Sequence, residues 1–306
     1  MRICRFNTDR VGIVEGDEVF DVSGALACLP DSRWPFPQKD IFIAELARLL
    51  PLMSELKEQA TPTPIADVRL EAPVANPSKL INAPINYRAH IEETAANQEI
   101  AHGRDMTKSI WQWGLFLKAN SALSGAGEPI RLRYPGRRID HEIELAVIIG
   151  TQCHGVTRDE ALKYVAGYTV GLDITIRGPE LQSFRKSADS FAVLGPWMVT
   201  ADEIDDPGCL GLELRVNGQI RQKANTRDLV YDVPKLIEYA SSMYQLNPGD
   251  VIFTGTPEGV GPIEAGDRIE ARISEIGELR VDVAPEIVAL PRHDPVLEEM
   301  QCLKSA

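Results

Sequence analysis

The chain has 306 residues, 44% of them apolar, enough for one large domain or two smaller ones around a sizeable core. Its 45 acidic and 32 basic residues give a formal net charge of −13, which argues against nucleic acid as a partner. No run of about 18 or more apolar residues occurs, so no membrane span is expected.

The opening residues, MRICRFNTDR, contain no apolar stretch of the signal-peptide kind, which gives a cytoplasmic reading. Short apolar pieces over residues 1–29, with EGDE between two of them, predict a small antiparallel β unit containing a hairpin. Residues 40–58 carry helical periodicity, and Pro51 is expected to end or kink that helix. The proline-rich stretch 61–78 reads as a linker, with a boundary near residue 72 between a small N-terminal unit (1–72) and a larger one (73–306).

Beyond that boundary the chain is mostly strand-like, with two helices expected. TRDEALKYVAGY opens with Thr157 and Glu160 at capping-box spacing. DVPKLIEYASSMYQL places Asp232 near a cap and Pro234 in the first turn. Asn217-Gly218 predicts a tight hairpin. Many strands and few helices indicate an α+β, mainly β fold with a rolled or barrel-like sheet. The five cysteines, Cys4, Cys28, Cys153, Cys209 and Cys302, are scattered and form no CxxC pair. They read as reduced thiols, not as a disulfide framework or a zinc site.

The chemistry starts at IDHEIELAVIIG, residues 139–150, an apolar strand in which Asp140, Glu142 and Glu144 fall on one face. Adjacent ionised carboxylates repel, so either that face is solvated or a cation neutralises it. A hard dication such as Mg²⁺ or Mn²⁺ would use Glu142 and Glu144 and need a third ligand from elsewhere. Asp173, a single acid in the apolar run YTVGLDITIR, is the natural candidate. Lys118, Arg177 and Lys186 follow or end apolar stretches and are candidate cations for a carboxylate or an enolate. His90 and Glu93 are three apart, so in a helical turn the carboxylate would orient the imidazole as a base. FTGTPEGVG, residues 253–261, offers backbone N–H groups and the Thr254 and Thr256 hydroxyls to an anionic group.

Taken in order, NYxxHxxE (86–93), FLK (116–118), HExEL (141–145), Asp173 with Arg177, KSxDxF (186–191), GPW (195–197), NG (217–218), NT (225–226) and TGTPxGVG (254–261) resemble the fumarylacetoacetate hydrolase family. The resemblance runs from about residue 73 to 280. It implies a rolled mixed β-sheet catalytic domain, a homodimer, and Mg²⁺ or Mn²⁺ held by Glu142, Glu144 and Asp173. It further implies that His90, Glu93 and Lys186 are catalytic, and that Lys118, Arg177, Gln182 and Thr256 line the substrate pocket. Two departures stand out. Arg177 is followed by GPELQ where the family commonly reads D-x-Q, so Gln182 is displaced by two residues. The segment between NYRAH and FLK, the family's cover over the site, is atypical and carries Trp111 and Trp113, which would meet a substrate tail or pack into the core.

The activity so implied is hydrolysis of a C–C bond in an acylpyruvate, a 2,4-dioxo acid, to pyruvate and a carboxylic acid. A metal-dependent 2-oxo acid decarboxylase or a 2-hydroxydienedioate isomerase on the same scaffold is the alternative. The expected partner is a small-molecule 2-oxo acid, with no nucleic acid and no membrane.

Overall fold

In a computed structural model that describes residues 1–101, 105, 108–134 and 136–285, the apolar run Ile143–Ile149 forms a central strand buried along its whole length. Antiparallel partners flank it, Val165–Asp173 on one side and Val251–Phe253 on the other. Ile143, Leu145, Val147 and Ile149 point into one core, while Ala146 and Ile148 join a second core with the helix Ile41–Gln59. A strand covered on both faces needs a continuous apolar run, and Glu144 is the one charged residue inside it.

The sheet is mixed. Ala192–Thr200 continues it beyond Val165–Asp173, and Leu80–Asn82, parallel to Val251–Phe253, continues it on the other side to Phe116–Lys118. A three-stranded sheet sets Ile139–His141 between Thr175–Ile176 and Gly261–Pro262. A five-stranded sheet contains the hairpin Gly211–Val216/Gln219–Asn225. At its turn Asn217 and Gly218 have φ of 51° and 77°, as the tight turn expected from this dipeptide requires. The α+β, mainly β architecture follows the expectation from the sequence.

The N-terminal strands Arg2–Phe6, Arg10–Glu15 and Glu18–Asp21 form the predicted antiparallel unit. Arg2–Phe6 also pairs with Ala192–Thr200, so this unit extends the central sheet. Residues 61–78, read as a linker, carry two short strands: Thr63–Pro64 pairs with Glu18–Asp21, and Leu70–Glu71 with Arg2–Phe6.

Two local expectations are corrected. Ile41–Gln59 runs through Pro51 as one helix. Pro51 is exposed, and the burial of Leu46, Leu49 and Met53 on the opposite face outweighs the ~3 kcal/mol cost of an interior proline. The segment after Thr157 is a 3₁₀ helix, Arg158–Tyr164, with no side-chain cap from Thr157. Ala161 alone is buried there, so no apolar face exists to hold an α-helix. By contrast Val233–Met243 is a helix capped by Asp232, which accepts from the Lys235 N–H. Cys4 and Cys153 are buried free thiols, Cys28 and Cys209 exposed ones; Cys302 lies outside the described residues, as does part of the segment between NYRAH and FLK that the resemblance makes a cover. No described helix is long and apolar enough to cross a membrane.

Candidate metal centre and catalytic site

Register creates the acidic cluster. Ile143 stands opposite Leu172 and Glu144 opposite Gly171, and the Asp173 N–H donates to the Glu142 carbonyl at 2.9 Å. The carboxyls of Glu142, Glu144 and Asp173 therefore converge, with one oxygen from each within 4.8 Å of the others. Asp140, Glu142 and Glu144 are 0%, 3% and 1% exposed, which removes the solvated-face alternative. Buried anions at this spacing need cations.

Protein cations supply part of that need. Lys186 Nζ donates to Glu142 Oε2 at 2.8 Å and to Asp173 Oδ2 at 2.5 Å. Lys118 Nζ donates to Asp173 Oδ1 and to the Phe191 carbonyl, both at 2.5 Å. Arg177 spans Asp140 Oδ2 and Glu142 Oε1, each at 2.7 Å, and Arg138 holds Asp140 from the other side at 2.8 Å. Burial alone would raise the Glu142 carboxyl, but Lys186 and Arg177 outweigh it and hold the group well below the usual carboxylate range. Glu144 goes the other way: burial first, then the charge of Asp173, push its carboxyl well above that range. The Gly255 N–H, 2.6 Å from Glu144 Oε2, offsets this in part. A buried, all-oxygen, convergent donor set with one under-compensated member fits a hard dication such as Mg²⁺ or Mn²⁺.

Beside it, His90 Nδ1 lies 2.7 Å from Glu93 Oε2 on the helix Arg88–Ala96. An ionised carboxylate can only accept, so Nδ1 carries the proton and Nε2 is the basic nitrogen. The Gly259 N–H fixes Glu93 Oε1 at 2.9 Å. Asn86 anchors the entry to this helix, donating to the carbonyls of Tyr231 and Thr254 at 2.7 and 2.8 Å. The glycine loop thus holds carboxylates, but they are the protein's own. Gly259 has φ of 89°, and a Cβ there would meet the Arg221 carbonyl oxygen at 2.1 Å, so glycine is required.

His90, Glu142, Arg177, Gln182 and Lys186 all line one cavity of about 20 Å³, room for about one water. Gln182 reaches it despite the two-residue displacement, from the start of the short helix Gln182–Arg185. Lys118 and Thr256 do not line it: Lys118 is buried against Asp173, and the Thr256 hydroxyl donates to the Ile143 carbonyl at 2.9 Å. Trp113 lines the cavity, whereas Trp111 is 69% exposed and stacks on Tyr239 with ring centroids 5.2 Å apart. Trp111 therefore neither fills the core nor meets the cavity.

Sequence reasoning gave no role to Asp140, Arg138 or Gln222. Gln222 is buried and accepts from the Ile143 N–H at 3.1 Å while donating to Thr256 Oγ1 and the Pro257 carbonyl at 2.8 Å. It couples the carboxylate strand to the glycine loop. A lone glutamine in a polar hairpin carries no signal of that role, but Asp140 did, through its place in the stripe.

Comparison with known proteins places the whole chain among its relatives. Residues 79–284 match the family described as fumarylacetoacetate (FAA) hydrolase, C-terminal. The chain is 52% identical over 284 residues to a maleylpyruvate hydrolase of Aquipseudomonas alcaligenes, covering 92% of this chain and 99% of that one. It resembles the crystal structure of maleylpyruvate hydrolase from Sphingobium sp. SYK-6 in complex with manganese(II) and pyruvate, with 42% identity, TM-score 0.79, and 94% and 100% of the two chains covered. A 2-hydroxyhepta-2,4-diene-1,7-dioate isomerase from Mycobacterium marinum is also similar, at 30% identity and TM-score 0.69 over 94% of this chain and 100% of that one.

Proposed function

The chain belongs to the fumarylacetoacetate hydrolase family, and from that membership and the site geometry we propose that it hydrolyses the C–C bond of an acylpyruvate to pyruvate and a carboxylic acid. The observation that carries this is a carboxylate-oriented histidine sharing one small cavity with Glu142 and Lys186. Similarity to the maleylpyruvate hydrolases, one of them crystallised with manganese and pyruvate, supports it.

Glu142, Glu144 and Asp173 would hold a divalent ion, which supplies Lewis-acid stabilisation of negative charge on the 2-oxo acid. His90 takes a proton from water through Nε2, while Glu93 keeps Nδ1 protonated and the ring aligned. The water adds to the C4 carbonyl. The C3–C4 bond then breaks with its electron pair left on the pyruvate fragment, which a proton later quenches. Lys186, between Glu142 and Asp173, is the ammonium placed to balance that charge. A homodimer belongs to the same proposal, and light scattering that returns twice the chain mass supports it.

The test is maleylpyruvate with Mg²⁺ or Mn²⁺, following β-diketone absorbance and pyruvate. Absorbance loss with stoichiometric pyruvate is expected. Decarboxylation of oxaloacetate or isomerisation of 2-hydroxyhepta-2,4-diene-1,7-dioate, with maleylpyruvate left intact, overturns the hydrolase reading.

A further inference from the structure

The carboxylate strand loses a neighbour where its acids begin. Val251–Phe253 pairs with it from Ala146 to Ile148, and one further bond runs from the Thr254 N–H to the Leu145 carbonyl at 3.1 Å. Ile143, between Glu142 and Glu144, turns its N–H and carbonyl to that same side, because the bond to the other neighbour joins the Asp173 N–H to the Glu142 carbonyl. Ile143 is fully buried, so both groups need partners. Side chains provide them. The N–H donates to Gln222 Oε1 at 3.1 Å, and the carbonyl accepts from the Thr256 hydroxyl at 2.9 Å.

Every hydrogen-bonding position of the Gln222 amide is engaged. Oε1 accepts from the Ile143 N–H and from His141 Nδ1, both at 3.1 Å, while Nε2 donates to Thr256 Oγ1 and the Pro257 carbonyl, both at 2.8 Å. A backbone N–H can only donate and a backbone carbonyl only accept, so one orientation of the amide satisfies this set. The carboxamide stands in for one peptide unit of the strand that ends at Phe253.

The hairpin is shaped to deliver it. Gln222 is the one buried residue of Gln219–Asn225. Leu214 opposes Gln222 and Arg215 opposes Ile220, so Arg221 is an extra residue and the strand bulges there. The Arg221 carbonyl oxygen in turn lies against Gly259, at the place a Cβ would occupy. Between these two contacts the loop carries the Gly255 N–H, 2.6 Å from Glu144 Oε2, and the Gly259 N–H, 2.9 Å from Glu93 Oε1. Two adjacent residues of one bulge therefore brace the loop that holds a candidate metal ligand and the carboxylate orienting His90.

We propose that Gln222, presented by the Arg221 bulge, is a positioning residue: it locks the glycine loop to the carboxylate strand and so sets divalent-metal affinity and the alignment of His90, bonding to neither. The metal part rests on the ligand set Glu142, Glu144 and Asp173, and the His90 part on the acylpyruvate hydrolase reading. Thr256 then belongs to the frame, as the relay between the amide and the strand.

The experiment measures Mn²⁺ dissociation constants by calorimetry, and kcat and KM on maleylpyruvate at saturating Mn²⁺. Wild type is compared with Gln222→Met, Thr256→Val, Thr256→Ser, the double variant Gln222→Met/Thr256→Val, and Leu212→Ala. Gln222→Met keeps the chain length and deletes the amide; Mn²⁺ should bind about 10–100-fold more weakly and kcat fall about 10-fold, with KM within about 3-fold. Thr256→Val should lose a similar amount, and Thr256→Ser, which keeps the hydroxyl, should recover most of it. The double variant should fall less than about 3-fold below Gln222→Met, because both changes break one link. Leu212→Ala thins the core beneath the same hairpin; it should lower the melting temperature while Mn²⁺ affinity and kcat stay within about 2-fold. Gln222→Met with wild-type Mn²⁺ affinity and kcat, or a loss in Leu212→Ala as large as in Gln222→Met, overturns the assignment. A wild type that cleaves no acylpyruvate, with Mn²⁺ affinity still falling in Gln222→Met, removes the hydrolase reading and leaves Gln222 its role. Cleavage of maleylpyruvate that is equally fast in Gln222→Met, at unchanged Mn²⁺ affinity, does the reverse. Should Gln222→Met fail to fold, Thr256→Val and Thr256→Ser carry the same comparison.

Discussion

Glu93 bridges two parts of the site, with Oε2 2.7 Å from His90 Nδ1 and Oε1 accepting from the Gly259 N–H at 2.9 Å. Both of its oxygens are needed as acceptors. Glu93→Gln keeps the shape but turns one acceptor into an NH₂, which must face either the imidazole N–H or the Gly259 N–H. It should therefore lower kcat by roughly 10–100-fold with little change in KM, and His90→Ala should lower it by about 10²–10⁴-fold. Initial rates on maleylpyruvate measure both. Wild-type turnover in His90→Ala removes the histidine from the chemistry.

Glu144 is the carboxylate that the protein's own cations compensate least, so its charge should matter most to an added dication. Glu144→Gln preserves the contact with the Gly255 N–H and the side-chain volume while deleting that charge. Mn²⁺ at 100 times its Kd should stabilise wild type by about 2.7 kcal/mol and the variant by almost nothing. Melting in MnCl₂ against EDTA reads this directly, independent of turnover. Matching melting shifts in the two proteins would mean that Glu144 is not a ligand.

Much of this site was legible in the residues. Asp140, Glu142 and Glu144 share a strand face by period-two geometry alone, and the placing of Asp173 in an apolar run needed a partner that antiparallel register supplies. What could not be read was which cation meets which acid. Lys118 ends an apolar strand in sequence, yet only the packing of Phe116–Lys118 at the sheet's far side sends its ammonium to Asp173 and not into the cavity. The helix expected after Thr157 failed because local capping signals cannot report that one residue alone would be buried. Trp111 and Trp113 were indistinguishable in sequence, since only their opposite directions on one short helix, two positions apart, part them between solvent and cavity.

Arg177 compensates two buried acids at once, at 2.7 Å each. Its removal takes one of two cations from each of Asp140 and Glu142, leaving only Arg138 and Lys186 against them, so Arg177→Met should destabilise the metal-free fold by about 3–5 kcal/mol. Adding Asp140→Asn should restore part of that loss, because Lys186 still holds Glu142 while Arg138 keeps a neutral acceptor. Urea unfolding of the two single variants and the double variant gives the coupling energy. Strict additivity would show that the pairing contributes nothing to the fold.

The buried thiols give a pH prediction whose sign can be worked out. Burial pushes the Cys4 thiol from its ordinary 9.0 up to about 12, and the Cys153 thiol up to about 11. Burial likewise raises the Tyr168 phenol. Each group is neutral in the fold and ionises more readily once unfolded, so its contribution is intact below its unfolded value, 9.0 for the two thiols and 10.0 for the phenol, and drains away above it. For Cys4 alone the slope approaches about 1.4 kcal/mol per pH unit between 9 and 12. Denaturation midpoints should therefore stay level from pH 7 to 9 and then drop steeply. At pH 8, iodoacetamide followed by peptide mass spectrometry should modify exposed Cys28 and Cys209 while sparing Cys4 and Cys153. Rapid labelling of Cys4 in the folded protein would contradict its burial within the N-terminal sheet, among Phe6, Val14 and Val19.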